Sequence, residues 1–360
     1  MESRKKPAAI LKDIKRIIFD MDGVITSEQN YWNAAALTVH EMLTSNKYLG
    51  NKNIETDLSE ERVREIRETV FLKDRWIGLL KDRGVNTNWD LAYVVLCMVL
   101  ITKSRQAIPQ YEFDASLFRD AYDFFVKQPL QGYEIYAYIQ SNLTKVMGED
   151  ESYFSRSGTF WKICQDVFQE WYLGDLAYTE TYGRLPRQEG KRGLIYSEQP
   201  LIPLHELKEV IHVLYDAGIC LGVGTGRPYV EIDQPLVSWG LRQYFDSRSF
   251  ITYTEVSRAE KLLGLTEKGI NLAKPHPYVF LKAIYGKDYP DDALLEGNYD
   301  KSLISGSLIV GDAGSDIMAA KAIGCKFAAV LTGVSGSKAA EYFRKMNADY
   351  ILNSVKELIK

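Results

Sequence analysis

The apolar residues of the chain first form a short continuous run, Ile17-Ile18-Phe19, which leads directly into Asp20-Met21-Asp22-Gly23-Val24. The run is β-branched and aromatic without polar alternation, so it predicts a strand at about 15–20 that is buried on both faces of a parallel sheet. Glycine then allows the backbone to turn sharply. Two carboxylates are therefore expected at the carboxyl end of a strand, where ligands bind in open α/β sheets.

A different pattern occupies residues 26–182, where apolar side chains recur at helical spacing and no convincing strand-like alternation occurs. The most apolar stretch, residues 91–101, is too short to span a bilayer and predicts a buried helix. Five of the six tryptophans lie in this block: Trp32, Trp76, Trp89, Trp161 and Trp171. These features favour a helical domain with its own core over an aromatic ligand site.

The remainder of the chain alternates between strand and helix patterns. Residues 183–203 combine Gly, Pro and mixed charge, which predicts a linker. The predicted strands that follow are 219–224, 249–253, 307–310 and 327–331, and the predicted helices are 204–217, 277–284, 315–323 and 338–346. Such alternation is typical of an α/β fold whose parallel sheet is covered on both faces. The helical block would then separate the first strand from the rest of its sheet.

The net charge and the spacing of the cysteines indicate which binding partners and which cellular location to expect. A net charge of −4 over 360 residues leaves no broad basic field, so neither nucleic acid nor a membrane is an expected partner. The cysteines show no metal-pair or redox-pair spacing, which favours reduced thiols and a cytoplasmic location. Residues 1–9 are basic but lack the apolar centre of a signal peptide. No feature of the composition or pattern indicates an oligomeric state.

The first motif has the residues for phosphoryl chemistry. At a strand end, Asp20 could attack phosphorus and form an aspartyl-phosphate. Asp22 could protonate the leaving-group oxygen and later deprotonate the attacking water. The alternative is a strand that ends in an ordinary polar turn, where Asp and Gly are common.

Two further loops could contact a phosphate. Thr225 and Gly226, in Gly224-Thr225-Gly226-Arg227-Pro228, follow a predicted strand and offer a hydroxyl group and backbone amides to phosphate oxygens. Lys274, in Lys274-Pro275-His276-Pro277, could neutralise a phosphoryl oxygen and hold a nucleophilic carboxylate ionised. A solvent-exposed loop lysine is the alternative interpretation.

A last motif places more carboxylates after a strand. Asp312 and Asp316, in Gly311-Asp312-Ala313-Gly314-Ser315-Asp316, follow the predicted strand 307–310. Asp316 would lie in the first turn of a helix, where the helix dipole favours an acid. Alternatively, both residues could bind Mg²⁺, a hard cation that prefers carboxylate oxygens.

The four motifs, taken together and in this order, resemble the haloacid dehalogenase (HAD) superfamily. The resemblance implies a Rossmann-like α/β core formed by residues 1–27 and 198–360. It also implies that residues 28–197 are a large, all-helical cap domain of the C1 type, inserted after the first motif. One departure is that Thr26-Ser27-Glu28 stands where many relatives carry an Asp.

The resemblance also implies roles for the acidic residues. Asp20 would be the nucleophile and a Mg²⁺ ligand, and Asp22 would be the general acid/base with its backbone carbonyl on the metal. Asp312 would bind Mg²⁺ directly. Asp316 would bind it either directly or through a water.

Three other residues would contact the phosphoryl group. By the same resemblance, Thr225 and the Gly226 amide would hold its oxygens, and Lys274 would bridge nucleophile and phosphate. The leading hypothesis is a Mg²⁺-dependent phosphatase that hydrolyses a small phosphorylated metabolite through an aspartyl-phosphate. A phosphomutase resembling β-phosphoglucomutase, or a catalytically silent binding module on the same fold, is the alternative. Basic residues of the helical block are candidate substrate contacts: Arg75, Arg156, Lys191 and Arg192.

Overall fold

The computed structural model describes residues 5–85, 87–103, 112–265 and 270–360. Residues 1–4 of the predicted polar leader lie outside this range. The chain divides into two compact units, one formed by Met1–Glu28 with Glu198–Lys360 and the other by Gln29–Ser197. The first is an α/β unit, and the second is a helical unit.

The helical unit is built around a helix that is apolar on every side. Its α-helices, α1 to α7, are Gln29–Thr44, Glu60–Val70, Arg75–Asp82, Asn88–Thr102, Ala115–Val126, Tyr133–Met147 and Thr159–Tyr182. Every residue of α4 from Leu91 to Leu100 is fully buried, as the apolar stretch predicted. No described helix of the protein is long and apolar enough to cross a membrane.

The α/β unit contains one six-stranded parallel sheet. Its strands, β1 to β6, are Arg16–Phe19, Cys220–Gly224, Phe245–Ile251, Ser307–Gly311, Lys326–Val330 and Tyr350–Leu352. Its helices, α8 to α15, are Leu204–Asp216, Tyr229–Ser238, Tyr253–Leu262, Tyr278–Tyr285, Asp291–Glu296, Ser302–Ser305, Gly314–Ile323 and Ala339–Lys345. The strand order is β3-β2-β1-β4-β5-β6, so β1 lies at the centre between β2 and β4.

Alternate residues of the central strands face two separate hydrophobic cores. On β1, Ile17 and Phe19 pack into one core, whereas Ile18 packs into the other. On β4, Leu308 and Val310 contact the first core and Ile309 the second. Because both faces are covered, these strands need apolar side chains at every position. The predicted α/β fold with a Rossmann-like parallel sheet and a large helical insertion is confirmed.

The edge strands differ most from the sequence prediction. The predicted strand 249–253 is wrong by several residues, since β3 runs from Phe245 to Ile251. Among the described strands this edge strand pairs with β2 alone, so it tolerates exposed polar residues that mask its pattern. Thr252 then caps helix α10 in a capping box with Glu255, which ends the strand earlier than predicted. The opposite edge strand, β6, has only three residues and was not predicted.

Candidate active site

The register of the sheet brings three loops to one edge. Phe19, the last residue of β1, is level with Val223 of β2 and Val310 of β4. Because the strands are parallel, the chain leaves all three at the carboxyl edge of the sheet. Asp20 follows β1 immediately, and Thr225 and Asp312 each follow two residues after the paired position.

Lys274 connects two of the carboxylates at this edge. Its Nζ is 2.8 Å from Asp20 Oδ1 and 2.8 Å from Asp316 Oδ1, and all three side chains are largely buried. The ammonium also lies over the ring of Phe280, 4.8 Å from the centroid. Lys274 is therefore not a solvated loop lysine, and its partners come from the first and last of the sequence motifs.

Asp312 completes a cluster of three carboxylates. Asp20, Asp312 and Asp316 each offer an oxygen, and these oxygens all lie within 4.8 Å of one another. Two glycines leave room for the Asp312 carboxylate. A Cβ at Gly23 would lie 2.1 Å from Asp312 Oδ2, and one at Gly333 would lie 1.9 Å from the same atom. Any other residue at either position would displace the carboxylate.

Burial dominates the electrostatics of this cluster. It raises the pKa of Asp20 to about 7, although Lys274 opposes the shift. Burial also raises the pKa of Asp312 well above its usual range, and the charges of Asp316 and Asp20 raise it further. For Lys274 burial alone would lower the pKa, but Asp20 and Asp316 raise it above its usual value. Lys274 carries one positive charge, which does not balance the charges of the three carboxylates.

This donor set fits a divalent metal ion. Three carboxylate oxygens are hard ligands of the kind that Mg²⁺ binds, and their spacing lets them converge on one ion. A cation there would also favour the ionised form of Asp20, which burial alone disfavours. Asp316 is held for this geometry, since its Oδ2 accepts a hydrogen bond from the Ala313 amide at 3.1 Å. The predicted capping interaction is therefore present, and Asp316 also contributes an oxygen to the carboxylate cluster.

The loop after β2 is arranged as a candidate phosphate site. Thr225 is buried and its amide donates to the Ile251 carbonyl at 3.1 Å, which fixes the loop against β3. Gly226 is exposed, and a Cβ there would meet no atom within 4 Å. The loop therefore leaves open space on the Cβ side of Gly226, so the backbone there is accessible to an approaching ligand.

Asp22 has a partner, Arg227, that was not predicted from the sequence. Arg227 Nε donates to Asp22 Oδ1 at 2.9 Å and to Oδ2 at 3.0 Å, and Nη2 also donates to Oδ1. Arg227 Nη1 donates to Glu198 Oε1 at 3.1 Å, and both of these side chains are almost fully buried. The only available signal was the position of Arg227 beside Thr225, because nothing in the local pattern identified Glu198.

The basic residues proposed as substrate contacts have partners within the helical unit. Lys191 is fully buried between Glu41 and Glu170, so the hypothesis that it contacts substrate is wrong. Its burial also shows that part of the predicted linker is packed into the unit. Arg156 pairs with the buried Asp90 at 3.0 Å. The remaining two candidates, Arg75 and Arg192, contact Tyr122 and Asp57.

The fold and the carboxylate–lysine site together define a hydrolase of the parallel α/β class, and comparison with known proteins agrees. The HAD-hydrolase-like family model matches residues 271–358, which include Lys274, Asp312 and Asp316. An X-ray structure solved by the Northeast Structural Genomics Consortium is 31% identical, with a TM-score of 0.80 over 96% of this chain and 97% of that chain. The chain belongs to the HAD-like hydrolases.

More distant structures cover the chain with lower similarity. A HAD-superfamily hydrolase of subfamily IA from Geobacter sulfurreducens is 16% identical, with a TM-score of 0.40 over 96% of this chain and 95% of that chain. A predicted phosphoglycolate phosphatase from Haemophilus somnus is 15% identical, with a TM-score of 0.40 over 96% of each chain. No curated protein sequence matches the chain.

Proposed function

We propose that the protein is a Mg²⁺-dependent phosphatase that hydrolyses a small phosphate monoester through an aspartyl-phosphate on Asp20. The observation that carries this proposal is the position of Lys274 Nζ, 2.8 Å from both Asp20 and Asp316 at the end of β1. A buried lysine there can hold the nucleophile and neutralise an incoming phosphoryl oxygen. The Asp312 carboxylate supplies the additional charge that a cation would balance.

Asp20 is oriented for attack through one of its oxygens. Oδ1 accepts a hydrogen bond from the Met21 amide at 2.7 Å and contacts Lys274, whereas Oδ2 accepts none from the described residues. In the proposed first step Oδ2 forms a bond to phosphorus, the bond from phosphorus to the ester oxygen breaks, and Asp22 gives that oxygen a proton. Water then attacks phosphorus and Asp22 takes its proton, which releases phosphate and restores Asp20.

The loop after β2 and the lysine would hold the transferred group. The Thr225 hydroxyl and the Gly226 amide would donate to two phosphoryl oxygens, and Lys274 would neutralise another. Fixed donors of this kind stabilise charge in the transition state without reorganising. Buried Thr225 and Lys274 both have side chains held by protein contacts, which supports this role.

The metal would be held by the carboxylate cluster. Asp20, Asp312 and Asp316 would provide side-chain oxygens, with Asp316 directly or through a water, and Asp22 would provide its backbone carbonyl. When bound, Mg²⁺ supplies positive charge that offsets the repulsion between an anionic nucleophile and an anionic phosphate. The residues of the chain position the nucleophile and move the proton.

A screen of phosphate monoesters with and without Mg²⁺ tests this proposal. The assay measures both phosphate release and isomeric sugar phosphates among the products. We expect phosphate release that stops with chelator and returns when Mg²⁺ is added back. Accumulation of an isomer without net phosphate release would instead identify a phosphomutase, and full activity in metal-free buffer would contradict the metal assignment.

We further propose that residues 28–197 act as a cap domain inserted into a catalytic domain formed by residues 1–27 and 198–360. The division of the chain into two compact units supports this assignment, as does the separate buried core around α4. Calorimetry tests for independent units, because two domains that unfold separately give a calorimetric enthalpy larger than the van't Hoff enthalpy. Equal enthalpies would indicate a single cooperative unit.

A further inference from the structure

We propose that Arg227 is a positioning residue for Asp22, which it orients so that Asp22 Oδ2 exchanges the proton with the reacting oxygen. This inference rests on the proposed phosphatase function. It gives a role to Arg227, a residue of the 224–228 loop that had no role in the sequence-based prediction. The contacts of the Arg227 guanidinium, the unequal environment of the two Asp22 oxygens and the burial of the pair support it.

The guanidinium lies behind the Asp22 carboxylate. Nε lies between both oxygens, at 2.9 Å from Oδ1 and 3.0 Å from Oδ2, and Nη2 adds a second donor to Oδ1. Only 2% of the Arg227 side chain is exposed, compared with 29% of the Asp22 side chain. The cation therefore fixes the carboxylate from the buried side and leaves its other side open.

The two oxygens of Asp22 are not equivalent. Oδ1 accepts from Arg227 Nε, from Arg227 Nη2 and from the Thr26 hydroxyl at 3.3 Å. Oδ2 accepts only from Arg227 Nε within the described part of the chain. A carboxylate oxygen can accept about two hydrogen bonds, so Oδ1 is saturated and Oδ2 keeps a lone pair for a proton.

Arg227 is itself held by three separate contacts. Its Nη1 donates to Glu198 Oε1 at 3.1 Å, its Nη2 donates to the Ser27 carbonyl at 3.2 Å, and its amide donates to the Thr225 hydroxyl at 3.2 Å. The planar guanidinium makes the Glu198 and Ser27 contacts while it holds Asp22, which a lysine ammonium at the end of a flexible chain cannot do. Residues 27 and 198 are also close to the points where the chain passes between the two compact units. Arg227 therefore ties Asp22 to residues 27 and 198 of the α/β unit.

A purely structural role for Arg227 makes a different prediction. If the residue served only to neutralise the buried Glu198, its loss would reduce the amount of active protein equally for every substrate. If it positions Asp22, its loss should harm proton donation, which matters most when the leaving group is a poor one. The ratio of activities toward good and poor leaving groups therefore separates the two roles.

The experiment compares 4-nitrophenyl phosphate with phenyl phosphate, because phenolate is the poorer leaving group of these two similar esters. The measured quantity is kcat/KM with Mg²⁺, which reports only the steps up to departure of the leaving group. For Arg227→Gln we expect a loss of about 100-fold on phenyl phosphate and of less than about 10-fold on 4-nitrophenyl phosphate. Asp22→Asn should shift the ratio in the same direction and at least as far.

Two additional variants make the result decisive. The double variant Arg227→Gln with Glu198→Gln also removes the buried negative charge that Arg227 contacts, so it replaces the single variant if that one does not fold. Arg242→Gln is the matched control, because Arg242 pairs with Asp233 at 2.8 Å in the same unit and should leave the ratio at its wild-type value. An unchanged ratio in both Arg227 variants would overturn the inference. Wild-type protein that hydrolyses neither ester would instead count against the proposed phosphatase function.

Discussion

Two buried lysines, one in each unit, have closely similar neighbours. In the α/β unit, Lys274 lies between Asp20 and Asp316, with both Nζ–oxygen distances at 2.8 Å. Its ammonium also faces an aromatic ring, that of Phe280. In the helical unit, Lys191 reproduces this arrangement with different residues. A lysine between two carboxylates and over an aromatic ring is therefore not in itself a catalytic feature.

The helical counterpart is more completely enclosed. Lys191 Nζ is 2.9 Å from Glu41 Oε2 and 2.5 Å from Glu170 Oε2, and all three side chains have no exposed surface. The ring of Trp171 lies 5.1 Å from the ammonium. Since no substrate can reach this group without local unfolding, the trio is structural.

Position in the fold distinguishes the two sites. Lys274 is 12% exposed, lies at the carboxyl end of parallel strands, and has a third carboxylate, Asp312, in the same cluster. The site around Lys274 is therefore partly open and has more negative than positive charge, so it can bind a cation. The site around Lys191 is closed to solvent. We therefore expect substitutions around Lys274 to alter turnover and substitutions around Lys191 to alter stability.

The largest expected effect is on turnover, from Asp20→Asn. An amide cannot serve as the anionic nucleophile, so kcat should fall by at least about 10⁴-fold while the fold is kept. Steady-state kinetics on freshly prepared protein measures the loss of kcat, and the thermal unfolding midpoint shows whether the fold is kept. Appreciable activity without deamidation of the new side chain would remove Asp20 from the mechanism.

Lys274→Met should also reduce turnover. Loss of the ammonium removes one donor to the developing charge, which lowers kcat by about 10²–10³-fold. We expect little change in KM if Lys274 acts mainly in the transition state. Wild-type kcat in this variant would show that Lys274, like Lys191, has only a structural role.

Lys191→Met should lower stability and leave turnover unchanged, the reverse of the effect expected for Lys274→Met. The substitution leaves two buried carboxylates without a cation, so the free energy of unfolding should fall by about 3–5 kcal/mol. Turnover per folded molecule should stay at the wild-type value. Urea denaturation and active-site titration measure the two quantities, and a selective loss of kcat would contradict the assignment of this trio as structural.

Glu41→Gln should reduce the pH dependence of stability that the buried group of Lys191, Glu41 and Glu170 causes. Burial raises the pKa of Glu41 in the folded protein above its value in the unfolded chain, although Lys191 opposes the shift. The folded state therefore binds the proton more tightly, and wild-type stability should decrease as pH rises from about 4.5, by at most about 1.4 kcal/mol per pH unit. The variant should show a smaller slope in denaturant titrations between pH 5 and pH 8.

Glu65→Gln is the matched control for this pH dependence. Glu65 is an exposed partner of Arg62 in the same unit, so its substitution should leave the slope at the wild-type value. A Glu41→Gln slope equal to that of wild type would show that Glu41 is not the group responsible.

The sequence predicted the residues whose role depends on local pattern. β1, β2 and β4 are central strands, so each requires a continuous apolar run, and each polar residue that follows a run is brought to the same sheet edge. Lys274 precedes a helix, and its approach to Asp20 was implied only by the family resemblance. The strand logic placed Asp20, Thr225 and Asp312 at one edge in advance. It failed for β3, because an edge strand has one open side and tolerates polar residues.

The residues that were missed depend on contacts between distant parts of the chain. Arg227 and Asp22 are 205 positions apart, and no periodicity links them. Lys191 lies in a charged, glycine-rich stretch that is typical of a solvated linker, yet its charge is buried between helices. Burial of a charge depends on tertiary partners, so local composition alone gave the wrong interpretation.

Identification of the phosphorylated residue is the most direct test of the mechanism. The protein would be mixed with a hydrolysed phosphate monoester and Mg²⁺, quenched in acid during turnover, digested and mapped by mass spectrometry. We predict a phosphoryl group on Asp20 that is absent in Asp20→Asn and disappears when the substrate is exhausted. Rapid turnover with no phosphorylated residue in the quenched protein, or phosphorylation at a different residue, would contradict the aspartyl-phosphate mechanism.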